Sequence, residues 1–187
     1  YFATHESSGV SQGLYEYDSI GIQTNSMQLY LEQVRFGFVS HDNELVFVSS
    51  IDGICGGYPQ GFPGYINIVS TAGQVLYSAR VTETVAACVQ AADSTYLVYT
   101  TDSVYRFDRQ LQAISAAKHN LGAVQSALAL PNAQVLVSSV HSGTNHLSTV
   151  DVSGNVLAAT TSTAPFNKMV LYGNGQGENL TGLLNTP

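Results

Sequence analysis

Residues 105–114 read YRFDRQLQAI, an alternating Tyr105 and Phe107, a turn opened by Asp108, then a second alternating run. The same pattern returns at 15–24 (YEYDSIGIQT), 67–76 (NIVSTAGQVL) and 149–158 (TVDVSGNVLA). Short alternating runs joined by a tight polar turn are the signature of a β-hairpin. The turn openers are Asp18, Ser70, Asp108 and Asp151, at steps of 52, 38 and 43 residues. Asp suits that place because its carboxylate accepts hydrogen bonds from amides two residues on. Gly21, Gly73 and Gly154 stand three residues after their openers, where positive φ is easiest for glycine, and the third copy carries Leu111 instead.

Outward from these hairpins the same alternation continues. Val34 to Val39 and Leu45 to Val48 alternate around the turn SHDN, and further runs fill 84–91, 95–101, 123–130, 134–140 and 167–172. Ahead of the last three hairpins lie additional strands at 44–50, 95–101 and 134–140. No window keeps a helical period, and SMQLYLEQV (26–34) has its leucines two apart, at Leu29 and Leu31, as an extended segment does. The fold class is therefore all-β. Four strands in each unit of roughly 40 residues are the signature of β-propeller blades.

Over roughly residues 10 to 172 the chain resembles the broad β-propeller superfamily. Trp is absent, so the WD40 dipeptide is missing, as are the paired glycines of kelch blades. Semaphorin-like and quinoprotein-like propellers share hairpins of the SVYRFDRQLQAIS kind (103–115). The resemblance implies about four visible four-stranded blades within 1–187, a single propeller domain or a propeller fragment. Two arrangements fit. In a four-bladed ring, 167–172 would supply the inner strand to the hairpin at 14–24; otherwise the blades are part of a larger propeller. The nearly continuous apolar runs Leu97-Val98-Tyr99 and Val135-Leu136-Val137 suit blades that bury both faces against neighbours.

Composition narrows the function. With 44% apolar and 10% charged residues the chain is not disordered. Six basic residues against thirteen acidic ones, net charge −7, exclude a phosphate-tracking nucleic-acid surface. No apolar run reaches the ~18 residues that a membrane-spanning helix needs. Lys118 and Lys168 are the only lysines, so solubility rests on uncharged polar groups, as suits an extracellular or cell-surface setting. Asn179-Leu180-Thr181 is an N-glycosylation acceptor pattern, with Asn179 the candidate site. Cys55 and Cys88 set no disulfide framework; Cys88 reads as a buried small hydrophobe, and a Cys55–Cys88 bridge is open in an oxidising compartment. The chain begins at Tyr1 without an initiator Met and ends at Pro187 after an unfinished hairpin pattern, so a segment of a longer protein is expected.

The loop DGICGGYPQGFPGY (52–65) is the outstanding binding candidate. It is an insertion above the repeat, with five glycines, two prolines and the aromatics Tyr58, Phe62 and Tyr65. Aromatics on Gly/Pro-rich rim loops suit contact with a protein or a sugar ring. Other residues offer less. HSGTNH (141–146) pairs His141 with His146 at a spacing that no compact zinc signature uses in a loop, and it reads as a polar turn. The carboxylates Asp42, Glu44, Asp52, Asp93, Asp102 and Asp108 fall at turns. GNGQGENLTG (173–182) lacks the Lys and Ser/Thr of a phosphate loop and reads as a hairpin turn. No metal, cofactor or catalytic set is expected. The leading expectation is a non-enzymatic interaction or scaffold module that binds a protein or glycan through rim loops, within a longer extracellular or surface protein and a larger assembly. The alternative is a propeller hydrolase or lyase, with acidic and His residues gathered around the central channel.

Overall fold

The structure, a computed structural model, describes residues 2–5, 12–17, 20–29, 34–50, 63–163, 168–173 and 179–184. They hold seventeen strands: β1 (Phe2–His5), β2 (Gln12–Tyr17), β3 (Gln23–Leu29), β4 (Val34–Val39), β5 (Leu45–Ser50), β6 (Gly64–Val69), β7 (Val75–Val81), β8 (Ala87–Gln90), β9 (Tyr96–Tyr99), β10 (Ser103–Phe107), β11 (Ala113–Lys118), β12 (Ala123–Ala129), β13 (Gln134–His141), β14 (Thr144–Asp151), β15 (Val156–Ser162), β16 (Lys168–Gly173) and β17 (Asn179–Leu184). The chain is all-β, as its alternation requires. β1 to β3 form a three-stranded sheet, β4 to β7, β8 to β11 and β12 to β15 form three four-stranded meanders, and β16 pairs with β17. The four-stranded up-and-down sheet is the blade unit that the repeat implied.

Two compact units divide the chain, Tyr1–Val85 with the first two sheets and Ala86–Pro187 with the rest. In the second unit β12, the first strand of its sheet, lies alongside β8 and β16, the first strands of the sheets before and after it. The strand at 167–172, which the four-bladed arrangement would have used to complete the hairpin at 14–24, is β16 and forms its ladder with β17, while β2 pairs with β1 and β3. A partner just beyond residue 173 closes a far shorter loop than one at the other end of the chain.

All four repeated hairpins are present, as β2–β3, β6–β7, β10–β11 and β14–β15, and each carries one register shift beside its turn. The turn is uniform. In the three complete sheets the opener amide donates to the carbonyl four residues on at Ser40, Ser70, Ala91, Asp108, Leu130 and Asp151, over 2.8–3.0 Å. The residue three after the opener takes positive φ in every case: Asn43 (59°), Gly73 (83°), Ser94 (64°), Leu111 (58°), Ala133 (59°) and Gly154 (87°). This is the three-residue hairpin loop, a type I turn followed by a left-handed residue and a bulge. Asp108 Oδ1 accepts from the amides of Gln110 and Gln112, each at 2.8 Å. Asp151 Oδ1 accepts likewise from Ser153 (2.8 Å) and Asn155 (2.9 Å). The side chain thus completes the turn, as the sequence reading required of an Asp opener.

Burial falls from the second strand outward. Tyr96, Leu97, Val98 and Tyr99 of β9 are all fully buried, so both faces of that strand are covered. In the first unit Val46, Val48, Ile66 and Ile68 are equally closed off, and Leu45, Phe47 and Val69 form a small cluster with Val34 packed against it. In the second unit Leu97, Tyr99 and Val104 of the third sheet join Val124, Val135, Val137 and Val150 of the fourth in one core. Leu136, on the other face of β13, stays half-buried. The polar residue Asn67 is buried in the second sheet but satisfied: its Nδ2 donates to Ser49 Oγ (3.1 Å) and its Oδ1 accepts from Ser78 Oγ (2.8 Å).

Candidate functional site

The loop expected to bind falls almost wholly outside the described residues: Tyr58 and Phe62 lie there, as does Cys55. Its last member, Tyr65, belongs to β6, where it is half-buried between Ser49 of β5 and Arg80 of β7. Cys88 is a buried free thiol in β8, and burial pushes its pKa far above the usual thiol range. A thiol held protonated in this way is an inert packing group. Asn179 is the first residue of β17, its backbone opposite Gly173.

The described residues place a different feature on the surface: the outermost strands β7, β11 and β15. Each begins directly after one of the uniform turns. Val75 and Leu76 open β7 and are 46% and 44% exposed; Val156 and Leu157 open β15 and are 44% and 53% exposed. Successive residues of a strand point to opposite faces, so these two strands are covered on neither face where they begin, and β7 becomes buried only at its end, at Val81. β11 is exposed along its whole length, with Ile114 as its large apolar group. Among the described residues β7, β11 and β15 each end their sheet, so their outer sides carry no further strand of the ladder. β15 reads VLAATTS without a charge or a proline, and β11 reads AISAAK with only Lys118, which is ion-paired to Asp102. Edge strands of soluble proteins ordinarily carry charges, prolines or a cover that blocks pairing. Strand addition, where it occurs in proteins, uses an exposed sheet edge.

Several ionic residues are committed to the framework. Arg106 reaches from β10 to Asp93 in the turn before β9 (2.5 Å) and also donates to Thr95 Oγ1 (3.2 Å). Burial alone would raise Asp93, and the hydrogen bonds of Thr95 with the Arg106 guanidinium outweigh it and hold the carboxyl below its ordinary value. Asp151 is lowered by the Asn155 side chain and amide, helped by the amides of Ser153 and Gly154. Asp42, Glu44, Asp93 and Asp108 sit in the β-turns where their sequence context put them, and Asp102 lies in the connection from β9 to β10. Tyr99 is fully buried with an unpartnered hydroxyl, and burial, with the negative charge of Asp151, raises its pKa beyond the ordinary phenol range. Among the described residues no helix is long and apolar enough to cross a membrane.

Sequence reasoning passed over the outer strands, although the signal was present. VLAATTS and AISAA are apolar or small residues without charge, directly after turns that end a blade.

No family model and no curated protein matches the chain. Solved structures do. A protein of unknown function from Bacteroides caccae matches with a TM-score of 0.55 at 14% identity, covering 82% of this chain and 57% of that one. BBS1N, solved in complex with ARL6DN, matches with a TM-score of 0.56 at 12% identity, covering 92% and 55%. BamB from Moraxella catarrhalis matches with a TM-score of 0.56 at 9% identity, covering 99% and 61%. BBS1N and BamB are β-propeller proteins, and the fold of this chain is that of a β-propeller. The chain spans 55–61% of the length of these three structures.

Proposed function

We propose that this chain is a non-enzymatic interaction module, a propeller scaffold that binds a protein partner and works as part of a longer protein. The observation that carries this reading is the set of outer strands, which expose Val75, Leu76, Ile114, Val156 and Leu157, carry only Arg80 and Lys118 as charges, and each end their sheet. A partner segment added to such an edge gains a ladder of main-chain hydrogen bonds together with apolar contacts. The carboxylates described are spent on turns and ion pairs, which suits a scaffold better than a hydrolase or lyase. The likeness to BBS1N, whose structure was solved with ARL6DN bound, supports the same class of role. An extracellular or surface setting belongs to this proposal and rests on the lysine-poor composition and on Asn179; glycan mass on Asn179 in protein from its native source would support it, and a bare peptide would count against it.

The test is photo-crosslinking in the native cell, with the reactive side chain at Leu76 or Leu157 and, for comparison, at Asn132 in an exposed turn. A discrete partner band from Leu76 or Leu157, weak from Asn132, with the Leu157 band removed by Val156→Lys, is the expected result. Labelling that is equal at all three positions would defeat the reading.

A further inference from the structure

His141 and His146, too awkwardly spaced for a loop site, are brought together by the register of the fourth sheet. The connection between their strands, β13 and β14, is only two residues long. Ser142 (φ 50°) and Gly143 (φ 77°) both take left-handed backbone, the geometry of a two-residue hairpin. His141 thus ends β13 opposite Thr144, and His146 lies on β14 opposite Ser139. Residues 139 and 141 share one face of β13 and meet 144 and 146 on the matching face of β14. The two imidazoles are therefore diagonal neighbours across the ladder, with ring centroids 6.2 Å apart and planes at 89°. His141 is exposed and His146 half-buried. On the same face, directly opposite His146 and two residues before His141, stands Ser139, which is 2% exposed and whose Oγ has no hydrogen-bond partner.

We propose that His141 and His146 form a two-imidazole binding site for a late first-row divalent cation, Cu2+ foremost and Zn2+ after it, with Ser139 behind the ion. Imidazole is the ligand that suits these ions, and Cu2+ heads their order of affinity. Metal–nitrogen bonds of about 2.0–2.1 Å set two imidazole centroids about 5 Å apart on a tetrahedral ion and about 6 Å apart on opposite sides of one. The observed 6.2 Å falls at the upper end of that span, and an exposed His141 is free to turn through the remainder. A buried hydroxyl without a partner has lost its hydration without return. Water on the ion would donate to Ser139 Oγ and restore what burial removed.

The side-chain ligands number two. His119, on the nearby connection to Gly122, is already engaged: its Nε2 lies 3.3 Å from the Thr100 carbonyl and its Nδ1 accepts from the Leu121 amide at 3.4 Å. No group of three His, Cys, Asp or Glu in metal-holding range exists among the described residues. Such a site keeps open positions for water or a partner's ligand, unlike the closed four-ligand sites that hold a fold together.

The test is calorimetric titration of the whole chain with Cu2+ in the presence of a weak competing chelator, repeated with Zn2+. One equivalent is expected for the wild type, weakened at least about tenfold by His141→Ala and by His146→Ala and retained by His41→Ala. Ser139→Ala should weaken the same event without changing its stoichiometry. Because His141 is exposed, its replacement leaves the fold intact, and a circular dichroism spectrum confirms this. Binding that survives both single substitutions, is lost equally with His41→Ala, or never exceeds the competitor would overturn the proposal.

Discussion

Leu111 is the one place where a large side chain occupies the left-handed position of the repeated turn, at φ 58° and 4% exposed. Two substitutions there separate backbone strain from packing. Leu111→Ala removes a buried side chain, at about 2–5 kcal/mol, and leaves a residue with a Cβ in the left-handed region. Leu111→Gly removes one further methyl, worth about 0.8 kcal/mol by burial. It also releases the left-handed penalty, about 1–2 kcal/mol for a residue with a Cβ. Both variants are therefore less stable than the wild type, but Gly should be more stable than Ala by about 0.2–1.2 kcal/mol, the reverse of the usual order in regular structure. Urea unfolding followed by tyrosine fluorescence and far-UV circular dichroism measures this. With m of about 2 kcal/mol/M, the Gly midpoint should exceed the Ala midpoint by about 0.1–0.6 M. Ala more stable than Gly would refute the turn assignment, and losses below about 1 kcal/mol for both would refute the burial.

Further outcomes follow from other contacts. A Cβ at Gly122 (φ 84°) would stand 2.4 Å from the Val140 carbonyl oxygen, whereas one at Gly143 (φ 77°) meets nothing within 4 Å. Gly122→Ala should accordingly cost about 2–5 kcal/mol and Gly143→Ala only about 1–2, read from thermal unfolding; equal losses would contradict the close approach. Because Asp151 is held below its ordinary carboxylate value in the folded chain, its stabilisation is present above about pH 4 and fades as pH falls through the folded pKa. Tm of Asp151→Asn should thus lie below the wild type at pH 7 and converge with it in acid, and a gap constant down to pH 2 would deny the role. Replacing Tyr58 and Phe62 together with Ala tests the rim loop against the outer strands. Partner crosslinking through Leu157 should persist with stability changed by no more than about 0.5 kcal/mol, and its loss would move the contact to the loop.

The hairpin repeat was legible because chemistry marks it: Asp or Ser accepts the turn amides, and glycine takes the left-handed position. Even the exception was readable, since Leu111 adopts the conformation that its place in the repeat demanded. The matching turns at Ser40, Ala91 and Leu130 were not legible as copies of it. Their left-handed residues are Asn43, Ser94 and Ala133, and the openers Ala91 and Leu130 offer no side-chain acceptor; in the Ala91 turn Asp93 Oδ1 accepts from the Thr95 amide instead. The His141–His146 pair was hidden for a related reason. Counting residues along the chain measures a loop, whereas the two-residue turn at Ser142-Gly143 converts four intervening residues into one diagonal step across a ladder. The outer strands show the limit of alternation as a signal. Val156-Leu157 reads like any buried start of a strand, and only the end of the sheet leaves both residues uncovered.

The uniform turn has a consequence in time as well as in space. Every ladder of the three complete sheets joins strands adjacent in sequence. The stretch Ala87–Lys118, for instance, holds all four strands of its sheet and both of its turns. Pairing in that sheet therefore awaits no distant segment, and local contacts of this kind are the fast ones in folding. As the chain leaves the ribosome, each sheet can pair as soon as its own stretch has emerged, so β11 and β15 are left as bare edges while the following residues are still being made.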